Sequence, residues 1–250
     1  MPLGSSRAKA AKSSRTRPAE LRIDGLDKPI ALRISRQARR IILKIRPDDG
    51  RVEVTIPPWT SRRAAGDFAA KNLEWIEERL ELLPKPVPFA AGASIPLQGV
   101  EHRIVPSGNL RGRVHRDGGN LVVPGEPEHL ARRVTDWLKA EARRVICDTV
   151  RIKAARANLK FSSIAVRDTT TRWGSCTCDG CLSFSWRLFL APDYVLDYVV
   201  AHEVAHLRHL DHGARFWKLT ATLTDGDVDL AKTWLNGHGH DLLRYGQSGD

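Results

Sequence analysis

The segment from Asp193 to Gly213 constrains this chain most. Its first part, Tyr194 to Leu207, is rich in apolar residues but carries Asp197, His202, Glu203 and His206. It is too short to span a bilayer, which needs roughly 18–20 apolar residues. A helix this apolar belongs in a protein core, and its polar residues must then find partners there. Pro192 suits a first helical turn, and Asp193 adds negative charge where the helix dipole favours it. The helix is expected to run to about residue 208.

On such a helix His202 and His206 lie about 40° apart around the axis and about 6 Å apart along it. Two imidazoles can therefore meet one metal ion from the same side. Glu203 sits on the flank of that face, within reach of a water beside the ion. Neutral imidazole is a good zinc ligand, and a catalytic zinc takes three protein ligands and keeps one position open. Zinc lowers the pKa of a bound water to around 7, and a neighbouring carboxylate can accept the proton and later deliver it to a leaving amine. For the third ligand, His209 lies about 10.5 Å beyond His202 along the same axis, too far to complete a tetrahedron. His212 is favoured, because Asp211 and Gly213 around it end the helix and let the chain turn back. The expected centre is one Zn2+ on His202, His206 and His212, with Glu203 as general acid/base. The spacing also fits the metzincin signature, but His209 replaces that signature's central glycine and the chain's single methionine is Met1, which leaves no Met-turn.

The rest of the chain reads as an α+β protein with no internal repeat. Alternation from Ala31 to Ile56, broken by Pro47-Asp48-Asp49-Gly50, predicts strands and a hairpin. Ser61 is expected to cap a helix running to about Leu83, ended by Pro84, Pro86 and Pro88. Short strands follow between Ser94 and Val123. A long connecting helix is expected over about 128–158, with Val134, Trp137, Leu138, Val145, Ile146 and Ile152 inward. Its other face carries Arg132, Arg133, Lys139, Arg143, Arg144, Arg151, Lys153 and Arg156. That face reads as a solvated surface or a nucleic-acid or phosphate surface, and the interleaved acids Asp136, Glu141 and Asp148 favour the former. Strands near 163–167, 171–176 and 182–190 come next, with Asp179-Gly180 as a hairpin turn. Short helices are expected after Gly213 and over 228–235, then a loose tail over 246–250.

The 250 residues carry a net charge of +11. Five of the cations lie in residues 1–17 without an acid, and this segment reads as a disordered basic tail, 1–19, rather than a signal peptide. The remaining basic charge allows a DNA or nucleotide association. Four cysteines and no export signal predict reduced thiols and a cytoplasmic setting, with no membrane partner. Cys176, Cys178 and Cys181 could in principle hold a second metal but lack a fourth ligand, so free thiols are expected.

These residues resemble the YgjP-like metallopeptidases, relatives of the SprT-like and WLM-type zincins. Arg172-Trp173-Gly174-Ser175-Cys176 matches the family's R-W-G-S-C element. Ser185-Trp186-Arg187-Leu188 through Ala191-Pro192 matches its approach to the active-site helix. Asp197 through Leu207 matches its D-Y-V-x-x-H-E-x-x-H-L core, and His212 with Phe216-Trp217 its closing element. Weaker matches are Glu74-Trp75-Ile76 and Gly92 to Gly99. The resemblance spans roughly residues 30–245 and implies a zincin-like α+β catalytic domain over 126–245, behind a β-rich region with one helix over 20–125. It implies zinc on His202, His206 and His212, Glu203 as the catalytic acid/base, and a peptide or protein substrate. The family's proline-bearing loop is replaced here by Thr222 to Asp229, so the pocket wall there is expected to differ. Substrate could pair with an edge strand at Leu182–Phe189, unless that strand is internal. Tyr194 and Tyr198 are expected in the core rather than at an oxyanion. Two other readings remain open at this stage: a zinc hydrolase of a nucleotide pyrophosphate bond, and a nucleic-acid-associated binding module.

Overall fold

A computed structural model describes residues 19–46 and 49–247. The expected basic tail lies outside these residues, except that Ala19 opens the first strand. The chain forms two compact units that divide between Leu82 and Leu83.

The N-terminal unit is a four-stranded sheet covered by two helices. Its strands β1 (Ala19–Leu21), β2 (Ile30–Ile34), β3 (Ile42–Ile45) and β4 (Val52–Ile56) lie in the order β1-β2-β4-β3. β3 and β4 form the expected antiparallel hairpin, while β2 runs parallel to β4. Alternate residues Ile30, Leu32, Val52, Val54 and Ile56 point inward and pack on Ala65, Ala69 and Ile76. The Ser61 hydroxyl caps α1 (Arg62–Lys71) by accepting the Ala64 amide at 3.1 Å. The expected single helix is two helices, α1 and α2 (Leu73–Glu81). Asn72 turns its side-chain amide back onto the Phe68 carbonyl at 2.7 Å and leaves the helical conformation there.

The second unit begins with β5 (Ser94–Leu97), β6 (Val100–Pro106), β7 (His115–Asp117) and β8 (Asn120–Val123), ordered β5-β6-β8-β7. Ile95, Leu97, Ile104, Leu121 and Val123 join one core with Leu130, Val134, Leu138 and Ile146 of α3 (Leu130–Arg156). The sequence groups residues 20–125 as one N-terminal region. The shared core draws residues 83–125 to the second unit instead. β9 (Ser163–Arg167), β10 (Gly174–Cys176) and β11 (Cys181–Ser185) form a third sheet in the order β10-β11-β9. A 3-10 turn over Trp186–Leu190 leads into α4 (Asp193–His206), followed by α5 (Ala214–Leu223), α6 (Val228–His238) and a 3-10 turn over Gly239–Arg244. The molecule is a mixed α+β protein with a β-rich N-terminal region and a long helix. No helix among the described residues is long and apolar enough to cross a membrane.

Two buried cations pin this unit. Lys153, only 1 % exposed, does not belong to the solvated face of α3 as its residue type predicts. Its ammonium donates to the Leu223 carbonyl at 2.6 Å, to Asp197 of α4 at 2.5 Å and to Asp225 at 3.2 Å. Asp197 also accepts the Asp225 amide at 2.8 Å. Arg156, and then Lys153, hold the Asp225 carboxyl below the usual carboxylate range. This ionic cluster anchors the segment after α5 that carries Asp225. Arg187 is the second pin. Its Nε donates to Asp168 at 2.9 Å and its Nη1 to the carbonyls of Leu242 and Tyr245. The tail is therefore tied down to Gly246, whose amide donates to Val87; residues 248–250 lie outside the described set.

Removing one partner of a buried ion pair strands the other, at about 3–5 kcal/mol. Lys153→Met is expected to lower unfolding free energy by about that much in urea titration. Lys160→Met, at an exposed site, should change it by no more than about 0.5 kcal/mol.

Candidate metal centre

α4 is buried along nearly its whole length, with Val195, Leu196, Val199, Val200, Ala201, Val204 and Ala205 all in the core. Such a helix cannot rotate to relieve a polar side chain, so its orientation fixes where His202, Glu203 and His206 point. Its first turn is held by Gln98, whose amide donates to Asp193 at 2.6 Å. Its last turn breaks after Leu207, and Gly213 then starts α5. The return loop carries His212 back over the end of α4.

The structure brings the three predicted histidines together. One ligand nitrogen from each of His202, His206 and His212 lies within 4.8 Å of the others, the one such cluster of possible metal-ligating residues among the described residues. The ring centroids are 4.7–5.1 Å apart. Phe216, fully buried, supports all three imidazoles at 4.5–4.9 Å. Trp217 lies 5.8 Å from His202 and 5.7 Å from His212. His209 contributes no ring to the cluster. Its backbone carbonyl lies 3.0 Å from His206 Nδ1, which donates to it and thereby leaves Nε2 free.

The donor set fits a cation. The Nε2 atoms of His202 and His212 face each other at 3.2 Å. Burial first, and then His206 and His212, push His202 down to about 4; burial likewise lowers His206. Both rings are therefore neutral at pH 7, the form that binds a metal. Two lone-pair nitrogens at this distance need a proton or a metal ion between them. His202 Nδ1 is buried with no hydrogen-bond partner among the described residues.

Glu203 is 7 % exposed and lies against β10. Burial pushes its carboxyl up to about 7, with Arg172 pulling the other way. The strand comes this close only because residue 174 is glycine. A Cβ there would sit 2.6 Å from Glu203 Oε1 and 2.5 Å from its Cγ. Gly174 belongs to the R-W-G-S-C element, but its approach to Glu203 is made between segments far apart in the chain and leaves no local signal. Lys232, its ammonium 4.0 Å from the Trp217 ring centroid, leaves none either.

Other expectations are redrawn. The stretch Leu182–Phe189 is not an edge strand: β11 ends at Ser185 and lies between antiparallel β10 and parallel β9. β10, the strand that Glu203 packs against, is an edge of this three-stranded sheet. Tyr198 is 6 % exposed and packs its ring 5.9 Å from His202, in the core as expected. The four thiols are free, and Cys176 is pushed up to about 11 by burial and then by Glu203.

No curated protein is similar in sequence. Among solved structures, the metallopeptidase zymogen of Pyrococcus abyssi abylysin aligns at a TM-score of 0.34 and 16 % identity, over 40 % of this chain and 97 % of that one. Residues 39–238 match the family described as YgjP-like, metallopeptidase domain. With most of the chain covered by that match, the protein belongs to the YgjP-like metallopeptidases, hydrolases whose chemistry implies a bound metal.

Proposed function

We propose that this chain is a zinc-dependent peptidase with a zincin-like catalytic domain. The observation that carries the reading is the convergence of three imidazole nitrogens within 4.8 Å, with the buried Glu203 next to the first of them. His202, His206 and His212 hold one Zn2+ through neutral rings. When bound, the ion supplies Lewis acidity toward a scissile carbonyl and lowers the pKa of a water to about 7.

The protein's own residues do the rest. Glu203, in an environment that raises its proton affinity, takes a proton from the attacking water and returns it to the leaving nitrogen. Gly174 lets that carboxylate lie against β10. The outer edge of β10 offers main-chain groups to an extended peptide. Phe216 and Trp217 pack against the imidazoles and keep them in place. The free cysteines suit a reducing compartment, and we assign the protein to the cytoplasm.

Elemental analysis of wild type and His206→Ala side by side is the first test. One zinc per chain, lost in the variant, is expected. Zinc retained in the variant would move the site to the cysteines, and none in either would remove the peptidase reading. Glu203→Gln should keep its zinc and lose peptide turnover by at least about 100-fold. Activity retained in that variant would rule out this general acid/base. Gly174→Ala should also keep zinc, with kcat down by about tenfold or more and KM little changed, because the added methyl displaces the Glu203 carboxylate. An unchanged kcat there would show that the carboxylate tolerates displacement.

A further inference from the structure

The cations of α3 do not form one uniform face. Lys153 is buried in the ionic cluster described above. Arg144 and Arg151 pair within the helix with Glu141 at 2.8 Å and Asp148 at 2.9 Å. Arg133 donates to the Gly112 carbonyl, and Arg156 to Asp225 and the Thr222 carbonyl. Lys139 and Arg143 differ from these, as does Arg132, which does not line the cleft described next. Lys139 and Arg143 lie one helical turn apart on one face, are exposed, and have no ion pair or side-chain hydrogen bond among the described residues.

Both line a cleft of about 460 Å³ between α3 and the end of β9. Across it stands Arg167, likewise exposed and without a side-chain partner among the described residues. Ala140, Val166 and Trp186 supply apolar wall and floor. The cleft has one carboxylate, Asp168, and the buried Arg187 already compensates it at 2.9 Å. Three positive charges therefore converge on one concavity without a counter-charge. Trp186 is 2 % exposed, and its Nε1–H has no acceptor among the described residues. The cleft shares no lining residue with the histidine cluster.

We propose that this cleft binds a phosphate group through Lys139, Arg143 and Arg167. Three exposed cations around one concavity, with no ion pair of their own among the described residues, give it a positive potential that favours an anionic occupant. A single carboxylate would leave most of the charge uncompensated. A phosphate carries up to two negative charges and three or four acceptor oxygens, and it matches the forked donors of two arginines. The group can arrive as inorganic phosphate, as the phosphate of a mononucleotide, or as consecutive phosphodiesters of a nucleic-acid backbone, each carrying one charge. The proposal does not depend on the peptidase reading.

The test follows the indole N–H resonances of the zinc-loaded protein by NMR at constant ionic strength, with that of Trp186 assigned by Trp186→Phe. Inorganic phosphate should shift the Trp186 signal saturably, and acetate should not. Each of Lys139→Gln, Arg143→Gln and Arg167→Gln should weaken binding by about tenfold, and the triple variant should abolish it. The double variant Arg144→Gln/Arg151→Gln, which removes equal charge from each of two already paired arginines, should stay within about twofold of wild type. Adenosine monophosphate and a single-stranded oligonucleotide then identify the source. A steep salt dependence for the oligonucleotide that flattens in the triple variant assigns the site to nucleic acid. Tight mononucleotide binding without that dependence assigns it to small phosphates. The proposal is overturned by the absence of a saturable shift, by equal binding of acetate, by phosphate binding that survives in the triple variant, or by an equal loss in the paired-arginine control.

Discussion

Everything near the histidine cluster depends on the burial of α4. A helix packed on all sides has no face on which a charge can be hydrated, so each polar side chain on it needs a partner from elsewhere. Asp197 finds one in Lys153, two helices meeting through a short ion pair that also takes in the loop after α5. Among the described residues Glu203 receives no such cation in contact, and burial raises its carboxyl's proton affinity. The histidines find one another. One helix thus shows three outcomes of burying polarity: compensation, a shifted proton affinity, and a clustering of imidazoles.

The parts of this arrangement that are local in the chain are legible in the sequence. His202 and His206 are one turn apart, so their shared face follows from helical geometry alone. His212 follows from the chain-breaking residues beside it. The strands of the first sheet and their hairpin follow from alternation and turn chemistry. Lys153 is not legible in this way, because a lysine in an amphipathic helix looks the same whether its head meets water or two carboxylates. The helix registry of α3 places it on the seam against α4, and only the tertiary pairing with Asp197 and Asp225 reveals that.

The position of β11 is a similar case. Its sequence, leading toward α4, fits an edge or an internal strand equally, and it is the parallel pairing of β9 along it, with β10 on the other side, that makes it internal. Parallel pairing is made between segments that are not neighbours in the chain, so no local pattern records it. Likewise, residues 94–123 alternate as residues 31–56 do. Which helix each sheet packs against is decided by complementarity of whole faces. The proximity of Gly174 to Glu203 belongs with these: it is a property of two surfaces rather than of either segment.

The Arg187 anchor has a consequence for the order in which the protein can be assembled. The carbonyls that receive its guanidinium come from Leu242 and Tyr245, and Val87 at the opposite end of the same unit pairs with Tyr245. During synthesis, a chain that has emerged only as far as the histidine cluster holds a buried arginine with Asp168 alone. The closing residues of the unit are its last to leave the ribosome. Its ends are therefore joined late, by long-range contacts with a high loop-closure cost, and the three histidines exist in sequence before the core that aligns them is complete.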